Sequence, residues 1–222
     1  MALIVIDRFN SRRRTFLQAA VDAGRVRQID EMALLEPEQM LPLARFSVQL
    51  LAVSGIFFIV LNLGAYIWRT GQHGASLSFG LVAGWFALNM LGYILVLPFH
   101  ELLHGITIAL LGGRPHYGAK LPFALYCGAR EQMFSCNAYL LIALTPFVLI
   151  SLAGVVLTLL APLIAPYFLF ALVGNASGAA GDIWMVQRLR ALPSSALVED
   201  VETGYRAWEV LPLVDGVKIE QV

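Results

Sequence analysis

The sequence predicts an all-α polytopic membrane protein with about four transmembrane helices. Two observations lead to this prediction. First, 59% of the 222 residues are hydrophobic and only 14% are charged, compared with roughly 25% charged residues in a typical soluble domain. Second, 13 charged residues lie in residues 1–45 and 10 lie in residues 188–222, which leaves 7 for the long segment between them. Because a helix crosses a bilayer with roughly 20 apolar residues, this central segment has room for about four spans.

Intervals without charge locate the individual spans. Span one lies in the 23 charge-free residues 46–68, which are enough for one crossing. Span two lies in residues 77–111, where Glu101 is the one charged residue. Spans three and four share the 50 charge-free residues 132–181. We expect the turn between them near Pro162–Pro166, because prolines interrupt the apolar run there.

The remaining segments define the predicted domain organisation. Residues 1–44 form an N-terminal segment that is partly amphipathic, residues 45–188 form the transmembrane domain, and residues 189–222 form a polar C-terminal tail. The loop 112–137 between spans two and three is too rich in glycine, proline and aromatic residues for a long helix. We expect this loop to be a short irregular segment or a β-hairpin.

The distribution of basic residues predicts the orientation in the membrane. Residues 1–45 carry seven arginines, including the run Arg12–Arg14, and the loop 112–137 carries three basic residues. The turn 161–167 carries none. Since basic segments are retained on the cytoplasmic side, we expect both termini and the long loop in the cytoplasm, with the chain integral to a plasma (inner) membrane. The run Arg12–Arg14 would then meet anionic lipid.

The net charge limits the kinds of partner to expect, and the spacing of the two cysteines indicates their role. The formal net charge is zero, and the sequence has no basic stripe with interleaved aromatic residues, so no nucleic-acid partner is expected. The expected partners are the lipid bilayer and a membrane-protein or peptide substrate, and the sequence leaves the oligomeric state open. Cys127 and Cys136 have a spacing unlike that of metal or redox motifs, which favours structural thiols.

A group of ionisable residues interrupts the apolar part of span two. His100, Glu101 and His104 stand in the order His-Glu-Leu-Leu-His. On a helix the two imidazoles lie one turn apart on one face, where both can reach a single zinc ion. Glu101 then flanks the metal, and its carboxylate can take a proton from zinc-bound water and pass it to a leaving amine. The alternative is a hydrogen-bonded histidine pair with a neutralised Glu101, which is costly to bury without a metal.

A third zinc ligand is needed, because catalytic zinc sites usually have three protein ligands and one open position. Asp182 is the sole acid in span four, and it lies about as close to the predicted cytoplasmic end of its span as His104 does in span two. The small residues of 174–181 would let the two spans approach closely. We therefore predict that Asp182 is the third ligand. The alternatives are an ion pair with Arg188 or a cap at the end of the helix.

Asn175 precedes Asp182 by nearly two helical turns and would face the same site on an unbroken helix. It is a candidate for positioning a substrate carbonyl or the metal-bound water. An ordinary interhelical amide hydrogen bond is an equally good interpretation. Zinc is the one cofactor that the sequence predicts, and the ligand set favours it over iron or cobalt.

These residues together resemble a known group of proteins. The motif His100-Glu101-Leu-Leu-His104-Gly105 is followed, two spans later, by Asn175 and by Gly181-Asp182-Ile183. The combination is similar to that of a family of membrane proteins of unknown function classed as zincin peptidases, which are distant relatives of the site-2 protease metallopeptidases. The resemblance covers roughly residues 90–205.

The resemblance implies zinc ligands at His100, His104 and Asp182 and a general base at Glu101. This chain departs from the site-2 protease pattern, because no Asn-x-x-Pro-x-x-x-x-Asp-Gly element leads to the aspartate and an isoleucine follows it. The resemblance and the composition of the loop 112–137 also suggest a strand pair whose edge would hold an extended substrate by strand addition.

Three functions remain as hypotheses. The first is a membrane-embedded zinc metallopeptidase that hydrolyses peptide bonds near the cytoplasmic leaflet, with Glu101 as general base. The second is a non-catalytic membrane adaptor in which a structural zinc site fixes spans two and four together. The third is metal transport, which requires a continuous polar path, whereas the outer halves of the spans offer little beyond Asn62 and Asn89.

Overall fold

The computed structural model describes residues 3–74, 78–120, 124–201 and 203–212. Its helices, in chain order, are α1 (Ser11–Asp22), α2 (Pro37–Thr70), α3 (Phe79–Leu110), α4 (Cys136–Leu160), α5 (Leu169–Gly178) and α6 (Ala180–Leu189), with a 3-10 turn at Ala165–Phe168. Its strands are β1 (Ile4–Ile6), β2 (Val26–Ala33), β3 (His116–Lys120), β4 (Ala124–Gly128), β5 (Gln132–Ser135), β6 (Leu197–Asp200) and β7 (Gly204–Val210).

Among the described residues, four helical segments are long and apolar enough to cross a membrane. They are α2, α3, α4 and the segment Ala165–Leu189, which contains α5 and α6. This number of candidate spans agrees with the predicted four. The turn between the third and fourth segments falls at 161–164, where the prolines predict it. Helix α2 begins earlier than the predicted first span, at Pro37, because proline is favourable in the first turn of a helix.

Asn89 joins α3 to the start of the fourth span. Its side chain is fully buried. Its Nδ2 donates to the Pro166 carbonyl at 3.0 Å, and its Oδ1 accepts the Phe170 backbone N–H at 2.8 Å. The first N–H groups of a helix have no partner within the helix, so Asn89 satisfies a donor at the start of α5. Packing thus accounts for one of the two polar residues that the transport hypothesis would need.

The prediction of an all-α protein is wrong, because the chain also forms a five-stranded β-sheet. The strand order is β1-β5-β6-β7-β2. Strand β1 runs parallel to β5, with Val5 opposite Met133, and the other neighbouring strands are antiparallel. Strand β1 has only 3 residues and pairs with β5 far along the chain, and β2 likewise pairs with the distant β7, whereas β6 and β7 are neighbours in the sequence. Strands of this kind lack the strict alternation of apolar and polar residues that reveals a strand in a sequence.

The sheet brings together the polar segments of the chain at one end of the helices. The N-terminal segment supplies β1 and β2, the loop between α3 and α4 supplies β5, and the C-terminal segment supplies β6 and β7. Strand β2 leads into α2, β5 continues directly into α4, and β6 follows α6. The end of the predicted tail, 213–222, lies outside the described residues.

A cluster of buried apolar side chains packs this sheet against α6. Phe134 of β5 and Tyr205 and Ala207 of β7 pack with Met185 and Leu189 of α6. Burying one large apolar side chain stabilises a fold by roughly 1.5–3 kcal/mol. The helix that carries Asp182 is therefore held in place by the sheet as well as by the neighbouring helices.

Strands β3 and β4 form a separate antiparallel hairpin in the loop between α3 and α4, with Tyr117 opposite Cys127. This is the second of the two forms expected of that loop. Residues 121–123 between the two strands lie outside the described residues. Strand β4 lies against α3, which carries the histidine motif.

Candidate metal centre

Helix α3 presents the residues of the histidine motif on its buried side. The side chains of His100 and His104 are each 7% exposed, and their ring centroids are 5.0 Å apart. One ligand atom from each of His100, Glu101 and His104 lies within 4.8 Å of the others. The spacing of four residues thus places both imidazoles together on one face, as helix geometry requires.

A helix break brings Asp182 to the two histidines. Ala179 ends α5 and precedes α6, so Asp182 lies in the first turn of α6. A carboxylate is favourable at the N-terminus of a helix because it faces the positive end of the helix dipole. The Asp182 Oδ2 lies 3.1 Å from the His100 Nε2 and 3.4 Å from the His104 Nε2.

The alternative partner that the sequence offered for Asp182 is occupied elsewhere. Arg188 of α6 donates to both carboxylate oxygens of Asp30 in β2, at 3.0 and 2.8 Å. Asp30 also accepts the Tyr205 O–H at 2.6 Å, and these contacts hold the pKa of Asp30 below its usual value although burial raises it. Arg188 therefore ties α6 to the sheet, while Asp182 faces the histidines.

Both imidazoles are held through their other ring nitrogen. The His100 Nδ1 donates to the Asn175 Oδ1 at 2.9 Å, and the His104 Nδ1 donates to the Ile142 carbonyl at 2.9 Å. Because an oxygen of this kind only accepts a hydrogen bond, each Nδ1 carries the proton. In a neutral imidazole with this tautomer, the Nε2 lone pair faces the Asp182 carboxylate.

This donor set fits zinc. Three acceptor atoms face one another across 3.1 and 3.4 Å, an arrangement that is repulsive unless a cation or a proton lies between them. Ligands at about 2.0–2.1 Å from a tetrahedral zinc ion lie about 3.3–3.4 Å from each other, close to the observed separations. Histidine ligands of zinc also typically donate their second nitrogen to a carbonyl or carboxylate oxygen.

Asn175 contacts the site from behind His100. The residue is 1% exposed and does not line the cavity described below. Among the described residues, its Nδ2 has no hydrogen-bond partner. Its observed contact is thus an interhelical hydrogen bond to the imidazole, which it makes even though the helix breaks between Asn175 and Asp182.

Glu101 faces the hairpin. Its carboxylate accepts a hydrogen bond from the backbone N–H of Cys127 in β4. The hairpin approaches α3 closely because the ring of Tyr117 packs on Gly105, where any side chain would collide with the Tyr117 hydroxyl. Burial and the nearby Glu101 raise the pKa of the Cys127 thiol to about 12. The neutral thiol fits the predicted structural role of this cysteine.

A cavity of about 400 Å³ opens beside the cluster. Its wall includes Met40 and Ser47 of α2, Cys127 of β4, and Asp200 at the end of β6, together with both histidines, Glu101 and Asp182. Volumes of this size are typical of ligand-binding clefts. A substrate segment in the cavity would therefore contact Glu101 and the three donor atoms at once.

Asp200 is a residue of this cavity that the sequence did not reveal. Its Oδ2 accepts the Ala129 backbone N–H, and its Oδ1 accepts the Tyr139 O–H at 3.1 Å. Burial raises the pKa of Asp200 to about 6, although these two hydrogen bonds lower it. Nothing near position 200 in the sequence indicates this role, because the hydrogen-bond partners of the Asp200 carboxylate, Ala129 and Tyr139, lie far earlier in the chain.

Comparison with known proteins finds a family model that matches the segment carrying the site. A family model described as "Putative zincin peptidase" matches residues 93–197, which include the histidine motif, Asn175 and Asp182. A search of curated proteins and a search of solved structures each find no significant match. Over residues 93–197, a little under half of its length, the chain is therefore similar to this zincin peptidase family.

Proposed function

We propose that the protein is a membrane-embedded zinc metallopeptidase that hydrolyses peptide bonds near the cytoplasmic leaflet. One observation carries the proposal. Two imidazole nitrogens converge on a carboxylate oxygen at 3.1 and 3.4 Å, beside Glu101 and on the wall of an open cavity. The family match supports peptidase chemistry over the same segment.

The proposed roles follow from the contacts of each residue. His100, His104 and Asp182 hold the metal, which when bound polarises a peptide carbonyl and lets water lose a proton near neutral pH. Glu101 accepts that proton and gives it to the leaving amine. The N–H of Cys127 keeps the Glu101 carboxylate directed into the cavity. Asn175 orients His100 rather than the substrate, since it is buried behind the imidazole.

The hairpin supports a proposal for how the substrate is held. Strand β4 has β3 as its partner on one side, and on its other side the Cys127 N–H points to Glu101. An extended peptide added to that second edge would pass directly by Glu101, and backbone hydrogen bonds would bind it with little dependence on its sequence. A substrate that is helical in the membrane would first have to unwind.

The orientation also belongs to the proposal. The sheet, the hairpin and the N-terminal arginines lie at the same end of the spans as the donor cluster. Since basic segments stay on the cytoplasmic side, this arrangement supports a reaction near the cytoplasmic leaflet of a plasma (inner) membrane.

Zinc content of the detergent-purified chain tests the ligand assignment. We expect near-stoichiometric zinc in the wild type and in Glu101→Gln, and loss of zinc in His100→Ala, His104→Ala and Asp182→Ala. Asp30→Ala is the matched control, because it removes a carboxylate that also contacts the fourth span but lies outside the cluster. A folded wild type without bound zinc would overturn the proposal.

Glu101→Gln tests the peptidase step itself. Membranes from cells that produce the wild type and the variant are compared by mass spectrometry of newly formed protein N-termini. Cleavages made by the wild type should disappear in Glu101→Gln, which keeps the shape of the side chain but does not accept a proton. If the variant retains both its zinc and the same cleavages, Glu101 is not the base.

A structural zinc site in a membrane adaptor is the second candidate, and one observation favours it. The ligand atom of Glu101 lies within 4.8 Å of those of both histidines, so Glu101 would be close enough to act as a fourth ligand after a small movement. A site closed by four protein ligands has no position for water. Loss of zinc in Glu101→Gln would therefore support the adaptor over the peptidase.

A further inference from the structure

Helix α4 contains a buried proline four residues after the carbonyl that holds His104. Pro146 lies inside α4, and its side chain is among the fully buried ones. In an α-helix the carbonyl of residue 142 accepts the N–H of residue 146. Proline has no N–H, so this bond does not form and the Ile142 carbonyl stays available.

The free carbonyl and His104 satisfy each other. Ile142 is buried, at 6% exposure, and a buried carbonyl without a partner is unfavourable. The His104 Nδ1 donates to that carbonyl at 2.9 Å. The same hydrogen bond fixes the proton on Nδ1 and leaves the Nε2 lone pair facing Asp182, which lies 3.4 Å away.

We infer that Pro146 is a positioning residue of the metal centre, because it frees the Ile142 carbonyl to orient His104 and to set its tautomer. A residue with an N–H at position 146 would compete with His104 for that carbonyl. His104 would then rotate or place its proton on Nε2, and in either case it would be a poorer metal ligand. The inference rests on the zinc site of the proposed function but not on peptidase activity.

The two histidines are thus oriented by different means. His100 depends on a side chain, Asn175, which substitution can remove. His104 depends on a backbone carbonyl, which no substitution can delete and which a proline makes available. The hydrogen bond between His104 and the Ile142 carbonyl can therefore be changed by substituting Pro146.

The test compares zinc affinity in two variants of the full-length chain in detergent. Pro146→Ala and Pro146→Val both restore the N–H but differ in side-chain volume. We expect each to weaken zinc binding about 10- to 100-fold in a competition titration with a chromophoric chelator, the range typical of lost support behind a metal ligand. Ile150→Ala is the control, since it truncates a buried side chain of α4 one turn further along and leaves the Ile142 carbonyl unchanged.

A second measurement uses the metal-free protein at a pH high enough for the imidazoles to be neutral, so that the position of the single ring proton reports the tautomer. Nitrogen NMR of histidine-labelled chain should show His104 protonated at Nδ1 in the wild type and in Ile150→Ala. The Nε2-protonated form should appear in both Pro146 variants. A loss of helix packing alone would not change this signal in such a selective way.

The outcomes separate the inference from the proposed function. Wild-type zinc affinity in both Pro146 variants, or an equal loss in Ile150→Ala, would overturn the role of Pro146. If the wild type binds no zinc, the proposed function fails, and the NMR comparison still decides whether Pro146 sets the tautomer of His104.

Discussion

The metal cluster and the five-stranded sheet both join distant parts of the chain, but the sequence reveals them to different degrees. The cluster joins His100 to Asp182, which are 82 residues apart. The sheet joins Arg27 to Glu209, which are 182 residues apart. Ionisable residues are rare in apolar spans, so each member of the cluster is conspicuous wherever its partner lies. The sheet residues are ordinary in a polar segment, and only their pairing makes them structural.

The two regions also differ in what they contribute. The cluster supplies chemistry, and the sheet supplies a rigid end to the helices through the packing of its strands on α6. If this comparison is right, damage to the sheet lowers stability with little effect on zinc affinity, and damage behind the ligands does the reverse. Substitutions in the two regions test this division, and the largest effect is expected in the sheet.

Leu197→Ala should give the largest loss of stability. Leu197 is fully buried in β6, where it lies opposite Ser135 and Trp208. Truncating a buried leucine removes apolar contact and leaves a cavity, so the free energy of unfolding should fall by about 2–4 kcal/mol. Denaturation in detergent measures this, and zinc affinity of the folded variant should stay within about threefold of wild type.

Ile4→Ala is the matched control for that substitution. Ile4 lies in the same sheet but is 51% exposed, so its truncation should cost well under about 1 kcal/mol. Equal losses at the two positions would show that the buried side of the sheet does not carry the stability.

The carboxyl group of Asp200 should change the free energy of unfolding by a comparable amount, and this change should depend on pH. Its pKa in the folded chain is about 6, above the ordinary value of 3.8. Between these values the folded state binds more protons than the unfolded state, so stability falls as pH rises and is highest below the lower value. A shift of about two units corresponds to at most about 3 kcal/mol.

Asp200→Asn removes this dependence because an amide does not titrate. Relative to the wild type, the variant should gain up to about 3 kcal/mol in free energy of unfolding between about pH 4 and about pH 8. Denaturation at the two pH values measures the difference. A constant difference between the two proteins would contradict a raised pKa for Asp200.

These two regions also show how far the sequence predicts the molecule. Four spans follow from the lengths of charge-free intervals, and the glycine and proline content of the loop excludes a long helix and leaves an irregular segment or a hairpin. The five-stranded sheet does not follow, because β1 is only 3 residues long and pairs with a strand beyond two spans. Short strands are specified by partners that no local pattern identifies.

Within the site, the sequence identifies the candidate metal ligands better than it identifies the residues that orient them. His100, His104 and Asp182 are predicted and lie together. The contact of Asn175 with His100 matches one of two interpretations of that residue. Pro146 offered a local signal, since a proline in a span frees the carbonyl four residues before it. The sequence alone does not tell which donor reaches that carbonyl.

Asn175→Ala tests the side-chain support behind His100. Loss of the acceptor for Nδ1 should weaken zinc binding about 10- to 100-fold, with a small change in stability, because the Nδ2 of Asn175 has no partner among the described residues. Asn89→Ala is the control. It removes the other buried asparagine of the spans, which bonds backbone groups of the fourth span, and it should lower stability without changing zinc affinity.

Arg27→Ala should give the smallest loss of stability. It tests whether surface charge contributes to holding the sheet together. Arg27 and Glu209 form an ion pair at 2.7 Å between β2 and β7, but their side chains are 66% and 39% exposed. Exposed pairs typically contribute less than about 1 kcal/mol, and about 1 M salt should remove most of that by screening. A double-mutant cycle with Glu209→Ala measures the pair. A coupling energy that is large and independent of salt would mean that the ion pair holds this edge of the sheet. The packing of Leu197 and its neighbours predicts instead that buried apolar contacts stabilise the sheet.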